Sequence, residues 1–421
     1  MIETALTRRA LLRTSALLGA GALLPGASRA GPQWANVKRL VTGYVDGGKL
    51  PGMVAILGQG QAAPHVIARG TTERGASPPV TADSLFRIYS MTKPITGMAA
   101  MILADEGKLG LDQPLGDILP RFARMQVLDN PDAPLDQVRP VRNPITIRHL
   151  LTHTAGLGYT IVQKGPIKQA YEDAGLVPAR VSRVPMPDLD TLHPAPSLAA
   201  FADRLAKLPL VYEPGERWSY SVSLDLLGRV IEVVSGLPLD AFMAERIFGP
   251  CGMQSTAFQV PRRDAARLTT NYGYFDGMPV PLDPARASIY FDPPAFPFGG
   301  AGLVSSPRDY DRFLAMLLGG GRLGRTRVMS DAAVRLGMAN LLPPAAIAPQ
   351  INGRVVGFGA GGMVGLGEDA GTFGWSGAAG TVGFINAPRS VRAGLFVQFM
   401  PFNAFAVQSE FPAAVKADIL A

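Results

Sequence analysis

Ser90-Met91-Thr92-Lys93 sets a hydroxyl and an amine three residues apart, just ahead of an apolar run. A serine hydroxyl is a poor nucleophile until a neighbour takes its proton. A lysine can do this when burial or a cationic neighbour brings its pKa toward neutrality. On a helix this spacing puts Ser90 and Lys93 on one face of the first turn. Ser90 then lies at the positive end of the macrodipole, where a developing oxyanion is favoured. Pro94 is compatible with that placement because the earliest helical amides have no intrahelical partner. Alone, such a pair arises by chance about once in a chain of ordinary composition and this length. The competing reading is an N-cap serine beside a solvated lysine.

Other combinations fit known chemistry less well. Gly374-Trp375-Ser376-Gly377-Ala378 imitates the nucleophile elbow of an α/β-hydrolase, whose triad runs serine, acid, histidine. All four histidines (His65, His149, His153, His193) precede Ser376, and a strand rather than a helix is expected after the turn. His149 and His153 stand four apart, but the helical metalloprotease pattern needs a glutamate where Leu150 stands, so a structural role is expected. Glu213 and Glu216 read as solvated charges in a turn around Pro214-Gly215. Cys251, the single cysteine, cannot form an internal disulfide and sits in the turn-like Pro250-Cys251-Gly252-Met253, as a small structural residue would. No metal or cofactor is implied.

The elements that would position Ser90 follow from periodicity. Gly52 to Gly58 and His65 to Arg69 are short and aliphatic with turn residues between them, which predicts an antiparallel strand pair. From about Ser90 to Leu109 the apolar residues Ile95, Met98, Met101 and Ile102 recur at helical spacing. Further helices are expected over Ile147 to His153, Ser197 to Leu208, Leu224 to Ser235 and Leu239 to Phe248. The Pro-rich segment from Asn130 to Pro196 reads as surface loops, in part lining a pocket. Strands return at Thr381 to Asn386 and Ala393 to Phe399, around Pro388-Arg389-Ser390, and a last helix spans Ala404 to Leu420 with Pro412 in its middle. Strands at both ends with helices between them predict an α/β fold. Residues 31–88 and 295–421 form a discontinuous α/β lobe, and residues 89–294 a mainly helical lobe with long loops.

Composition bounds the whole. With 421 residues, 47% hydrophobic and 17% charged, the chain can bury a large core. Residues 1–30 carry Arg8-Arg9, an apolar stretch too short to span a bilayer, and Ala27-Ser28-Arg29-Ala30 before a cut, which together predict a twin-arginine export signal. The protein is therefore expected to be exported, periplasmic or secreted; a membrane anchor or an amphipathic helix is the competing reading of this segment. Four arginines against Glu3 in that segment account for three of the seven net positive charges, leaving +4. Basic residues are scattered, so no nucleic-acid partner is expected. After removal of the signal, no membrane span is expected either.

Leu85-Phe86-Arg87-Ile88-Tyr89-Ser90-Met91-Thr92-Lys93-Pro94-Ile95-Thr96 resembles the active-site segment of the serine β-lactamase and penicillin-binding-protein superfamily. Ile145 to Leu157 is similar to the helix and turn of the class C β-lactamase-like branch. Glu213-Pro214-Gly215-Glu216-Arg217-Trp218-Ser219-Tyr220-Ser221 and Gly374 to Thr381 follow in the order that branch uses. Within it the chain most resembles the family VIII carboxylesterases, which keep the β-lactamase-like two-lobed fold, an antiparallel sheet flanked by helices plus a mainly helical lobe, but cleave ordinary esters.

The resemblance implies that Ser90 is acylated, that Lys93 helps deprotonate it, and that Tyr220 hydrogen-bonds to both and shuttles the proton. It implies an oxyanion hole from the backbone amides of Ser90 and Ala378, with Trp375, Ser376 and Gly377 against a small-molecule ester substrate. Tyr220 and Trp375, read without the resemblance, would equally be packed core residues. Where the β-lactamase branch has an asparagine two residues after the tyrosine, this chain has Val222; where it has a lysine opening the last motif, this chain has Trp375. Both departures remove polar groups that would hold a β-lactam, and they favour an ester. The alternatives are a β-lactamase, a D-Ala-D-Ala peptidase or transpeptidase of the same fold, and a non-catalytic binding protein.

Overall fold

The computed structural model describes residues 33–75, 78–177, 179–183, 193–351 and 353–421; the expected export signal lies outside them. Seven strands form the central sheet: β1 (Gly52–Gln59), β2 (His65–Gly70), β3 (Gly357–Phe358), β4 (Met363–Val364), β5 (Thr372–Ser376), β6 (Val382–Asn386) and β7 (Val391–Phe396). They are arranged β3-β4-β5-β6-β7-β1-β2, every neighbouring pair antiparallel. The expected strands at 52–58, 65–69 and 381–386 are all present, and the second C-terminal strand starts two residues earlier, at Val391.

The run Met53-Val54-Ala55-Ile56-Leu57 is apolar without alternation because both sheet faces are covered. Met53, Ala55 and Leu57 pack on one side with Val37 and Val41 of α1 (Ala35–Asp46) and with Phe411 and Val415 of the C-terminal helix, Val407–Leu420. Val54 and Ile56 join the main core on the other side, with Met91, Ile95, Tyr310 and Phe313. The C-terminal helix also finishes α1: Asp418 accepts from the backbone N–H of Asn36 (2.9 Å) and of Val37 (3.0 Å), amides at a helix start that has no side-chain cap of its own.

Helix α2 (Thr92–Asp105) runs through the middle of the molecule with every residue from Thr92 to Leu103 buried. A helix buried all round needs small residues where neighbouring backbone passes close. Gly97 is one, since a Cβ there would lie 2.1 Å from the Ala360 carbonyl oxygen. Against α2 packs α3 (Ser223–Ser235). The expected helix from Leu239 is α-helical only to Met243, then passes through a π turn, Ala244–Phe248. The expected helix at 147–153 is present as Ile147–Leu151, and the segment from 130 to 196, otherwise expected as loops, contains a further helix, Gly165–Asp173. The latter is anchored by buried Ile167 and Tyr171, a single pair four apart and too little periodicity to signal a helix.

Arg87 fixes the approach to α2. Fully buried, it pairs with fully buried Asp283. It donates through Nε to Asp283 (2.6 Å), through Nη1 to the Thr269 carbonyl (2.5 Å) and through Nη2 to Ser288 Oγ (3.0 Å), while its own N–H donates to Gln398 (3.1 Å). A buried guanidinium stripped of its partner retains its desolvation cost. Asp283→Ala is therefore expected to lower unfolding free energy by about 3–5 kcal/mol, read from urea midpoints. A loss below about 1 kcal/mol would show that the pair is not holding this segment.

Candidate active site

Ser90 sits in a 3-10 turn, Tyr89–Met91, that leads directly into α2. The sequence places the helix start at Ser90; the α-helical bonds begin two residues later, at Thr92. Tyr89 has φ +40°, a conformation that L-residues avoid and that costs about 1–3 kcal/mol. Burial of its ring (1% exposed) and a 3.4 Å bond from Asn271 Nδ2 to its hydroxyl hold it there.

Three expected residues meet at this turn. Lys93, fully buried, donates from Nζ to Ser90 Oγ (3.2 Å) and to the Gly300 carbonyl (2.7 Å). Tyr220 Oη donates to Ser90 Oγ (2.8 Å), and Trp375 Nε1 donates to Tyr220 Oη (3.3 Å). The direct bond expected between Tyr220 and Lys93 is not made. The ammonium lies over the face of the tyrosine ring instead, 4.5 Å from its centroid, and 5.6 Å from that of Tyr159. Two of the three ammonium N–H groups go to Ser90 and Gly300, and cation–π contact takes the place of a hydrogen bond to the Tyr220 hydroxyl.

The end of β5 brings in the remaining expected residues. Gly377 packs so closely on the turn that a Cβ there would lie 2.4 Å from the Ile88 carbonyl. The Gly377 amide is bonded to Thr381 (2.8 Å), and Gln408 Nε2 donates to the Gly377 carbonyl (2.7 Å). Ala378 packs with Ala379 beside Tyr89, while Trp375 and Ser376 stay half-exposed at the strand end. Val222 is wholly in the core, bonded through its N–H to the Gly158 carbonyl (3.1 Å). An aromatic wall surrounds Tyr220: Trp218 is stacked on it, Tyr159 and Trp375 lie at 5.4 and 5.8 Å between centroids, and Phe358 backs Trp375 at 5.3 Å.

A family model described as Beta-lactamase matches residues 37–414. The chain belongs to the beta-lactamase family. It is 39% identical over 291 residues to Protein Rv1367c of Mycobacterium tuberculosis, covering 69% of this chain and 68% of that one. It is 33% identical over 361 residues to Esterase EstB of Burkholderia gladioli, covering 80% and 83%. Among solved structures it is similar to EstCE1, described as a hydrolase with promiscuous acyltransferase activity. That match has a TM-score of 0.72 and 26% identity, over 92% of this chain and 98% of that one. The resemblance to the esterase-like branch, drawn from four motifs, therefore holds, and so does the β-lactamase-like fold.

Several residues around this beta-lactamase-family site were not singled out in the sequence. Tyr159, Phe358, Gly300 and Gln408 carry no local signal, since only tertiary packing brings them to Ser90. Asp225 does carry one: a carboxylate inside Leu224-Asp225-Leu226-Leu227 is out of place on a buried helix. Glu213, expected in solvent, is buried (3% exposed); it pairs with Arg139 (2.7 Å) and accepts from the Arg142 amide (2.5 Å). Glu216 is exposed as expected.

His149 and His153 do not converge. The helix ends at Leu151, and His153 follows in left-handed backbone at φ +55°. His149 Nδ1 accepts from the Thr146 amide in a capping box, whereas His153 Nδ1 bonds Ser221 Oγ (3.0 Å). Among the described residues no cluster of three or more metal-ligating side chains occurs. Burial pushes His149 down to about 4, and burial with the nearby Lys93 charge keeps His153 well below the usual imidazole range. A histidine depressed in the fold holds fewer protons folded than unfolded, so its contribution to stability is lost as pH falls. His149→Asn is accordingly expected to lose less unfolding free energy than the parent between pH 6.5 and about 4, the difference being about 3 kcal/mol. Parallel slopes in urea unfolding across that window would refute the assignment.

Proposed function

We propose that the protein, a serine hydrolase of the beta-lactamase family, cleaves carboxylic esters through an acyl-enzyme on Ser90. The observation that carries this is the convergence of two proton-handling groups, Lys93 Nζ and Tyr220 Oη, on one serine oxygen at 3.2 and 2.8 Å. Once the Lys93–Tyr220 pair has given up one proton to solvent, Ser90 Oγ attacks the ester carbonyl carbon, its proton passes to that pair, and the oxyanion is received by the backbone amides of Ser90 and Ala378. Collapse breaks the C–O bond to the alcohol, which leaves with the proton held by the pair. Water then adds to the acyl-serine carbonyl, gives a proton back through the same pair and releases the acid.

The ester is preferred over a β-lactam because the two positions that would hold a β-lactam's amide and carboxylate are occupied by core-buried Val222 and by Trp375. The name of Esterase EstB supports an ester. The description of EstCE1 supports a second use of the same intermediate, in which an alcohol replaces water and the acyl group is transferred. An aromatic wall of Trp218, Tyr159 and Phe358 around Tyr220 would favour that outcome by limiting water at the acyl-serine. The protein is further proposed to be exported, on the strength of Arg8-Arg9 and the apolar segment after them.

Ser90→Ala is expected to remove at least about 10³-fold of p-nitrophenyl ester hydrolysis, and Tyr220→Phe about 10²-fold or more of kcat. Mass spectrometry after a fluorophosphonate should find the adduct on Ser90. Retained hydrolysis in Ser90→Ala with loss in Ser376→Ala would overturn the assignment, and faster turnover of a β-lactam or a D-Ala-D-Ala peptide than of any ester would move the substrate class. Replacing both Arg8 and Arg9 by lysine should block export, leaving unprocessed precursor in cell fractionation. Normal processing of that variant would refute the twin-arginine reading.

A further inference from the structure

Asp225 is a carboxylate that the reaction as described does not use, yet it is fully buried on α3 among Leu224, Leu226 and Leu227. Its Oδ1 accepts from the Gly300 N–H (2.9 Å), whereas Oδ2 is buried with no hydrogen-bond partner among the described residues. A buried, half-satisfied carboxylate is destabilising. Its place in the first turn of a helix offsets that only in part, because a dipole contact is a weak one.

What it holds is the turn that faces Lys93. The Gly300 amide is bonded to Asp225, and the carbonyl of the same residue accepts from Lys93 Nζ at 2.7 Å. Next to it, the Gly299 carbonyl accepts from Thr96 Oγ1 at 2.6 Å. The turn is pinched between α2 and α3: a Cβ on Gly299 would lie 2.6 Å from the Leu224 carbonyl, and one on Gly300 would lie 2.5 Å from Asp225 Oδ2. Burial raises the Asp225 carboxyl to about 6, and it would rise further without the Lys93 charge and the Gly300 amide. The other titratable groups facing the pair are Tyr220, Tyr159 and His153. Burial keeps Tyr159 protonated, and burial with the Lys93 charge keeps His153 neutral.

We propose that Asp225 is a positioning residue for Lys93: it fixes the Gly299–Gly300 turn and supplies the buried negative charge that keeps the ammonium on the Gly300 carbonyl and within 3.2 Å of Ser90 Oγ. The inference rests on the reading of Ser90 as the nucleophile. Asp225 stays in the molecule at a cost to stability because the proton-handling group depends on it.

The test measures kcat and KM on a p-nitrophenyl ester from about pH 5 to 9 for the parent, Asp225→Asn, Asp225→Leu and Ser90→Ala. Asp225→Asn keeps an oxygen for the Gly300 amide but no charge. It should lose about tenfold in kcat at neutral pH with KM little changed, and its profile should lack the inflection expected of the parent near pH 6. Asp225→Leu, which loses the bond as well, should fall about 10²-fold. An Asp225→Asn protein with the parent's kcat and the same inflection overturns the proposal, whether or not Asp225→Leu folds. A lowered melting temperature without a change in the profile of kcat also overturns it, because that is what a purely structural carboxylate would give. Hydrolysis surviving in Ser90→Ala would strike the underlying assignment of the nucleophile instead.

Discussion

An ammonium group with no exposed surface, Lys93 Nζ, is the constraint around which this molecule is arranged. Taking such a charge out of water costs several kcal/mol unless acceptors, rings and counter-charge surround it. Here they are supplied from four separate parts of the chain: Ser90 Oγ at the start of its own helix, the Gly300 carbonyl, the faces of Tyr220 and Tyr159, and the Asp225 carboxylate behind Gly300. The helix carrying Lys93 is buried all round, so each of those parts has to be packed against α2 for the charge to be tolerated.

The serine side of the same site is held by a different device. Arg87 lies three residues before Ser90, and its buried network with Asp283, Thr269, Ser288 and Gln398 fixes the incoming backbone. Tyr89 then absorbs a positive φ that would relax if its ring were not enclosed. On the far side, Gly377 touches the Ile88 carbonyl and is clamped by Gln408 from the C-terminal helix. The turn of β5 and the serine turn are thus set against each other through backbone contacts, the arrangement in which amides can be aimed at an oxyanion without reorganisation.

The aromatic wall links specificity to this framework. Trp375 stands where the β-lactamase branch places a lysine, and it spends its indole N–H on Tyr220. On the proposed function, that one difference removes a cation from the pocket and adds a donor to the proton-handling group. Trp218, Phe358 and Tyr159 complete an aromatic surround which, on the proposed function, matches a neutral acyl group better than a carboxylate-bearing one.

Much of this was present in the sequence by itself. The strands at 52–58 and 381–386 and the helix after Ser90 follow from local apolar periodicity, and the order of Ser90, Lys93, Tyr220 and Gly374 to Thr381 identified the family before any contact was known. Local pattern suffices there because a strand covered on both faces and a helix buried all round write themselves as continuous apolar runs. The tertiary structure alone decided that Lys93 meets the ring of Tyr220 rather than its hydroxyl and that Glu213 is buried with Arg139. It also decided that Gly300, Asp225 and Gln408 stand behind the site. Those outcomes depend on contacts between residues 31 to 207 positions apart, and no periodicity in the chain records which distant carbonyl or ring will be nearest to a buried charge.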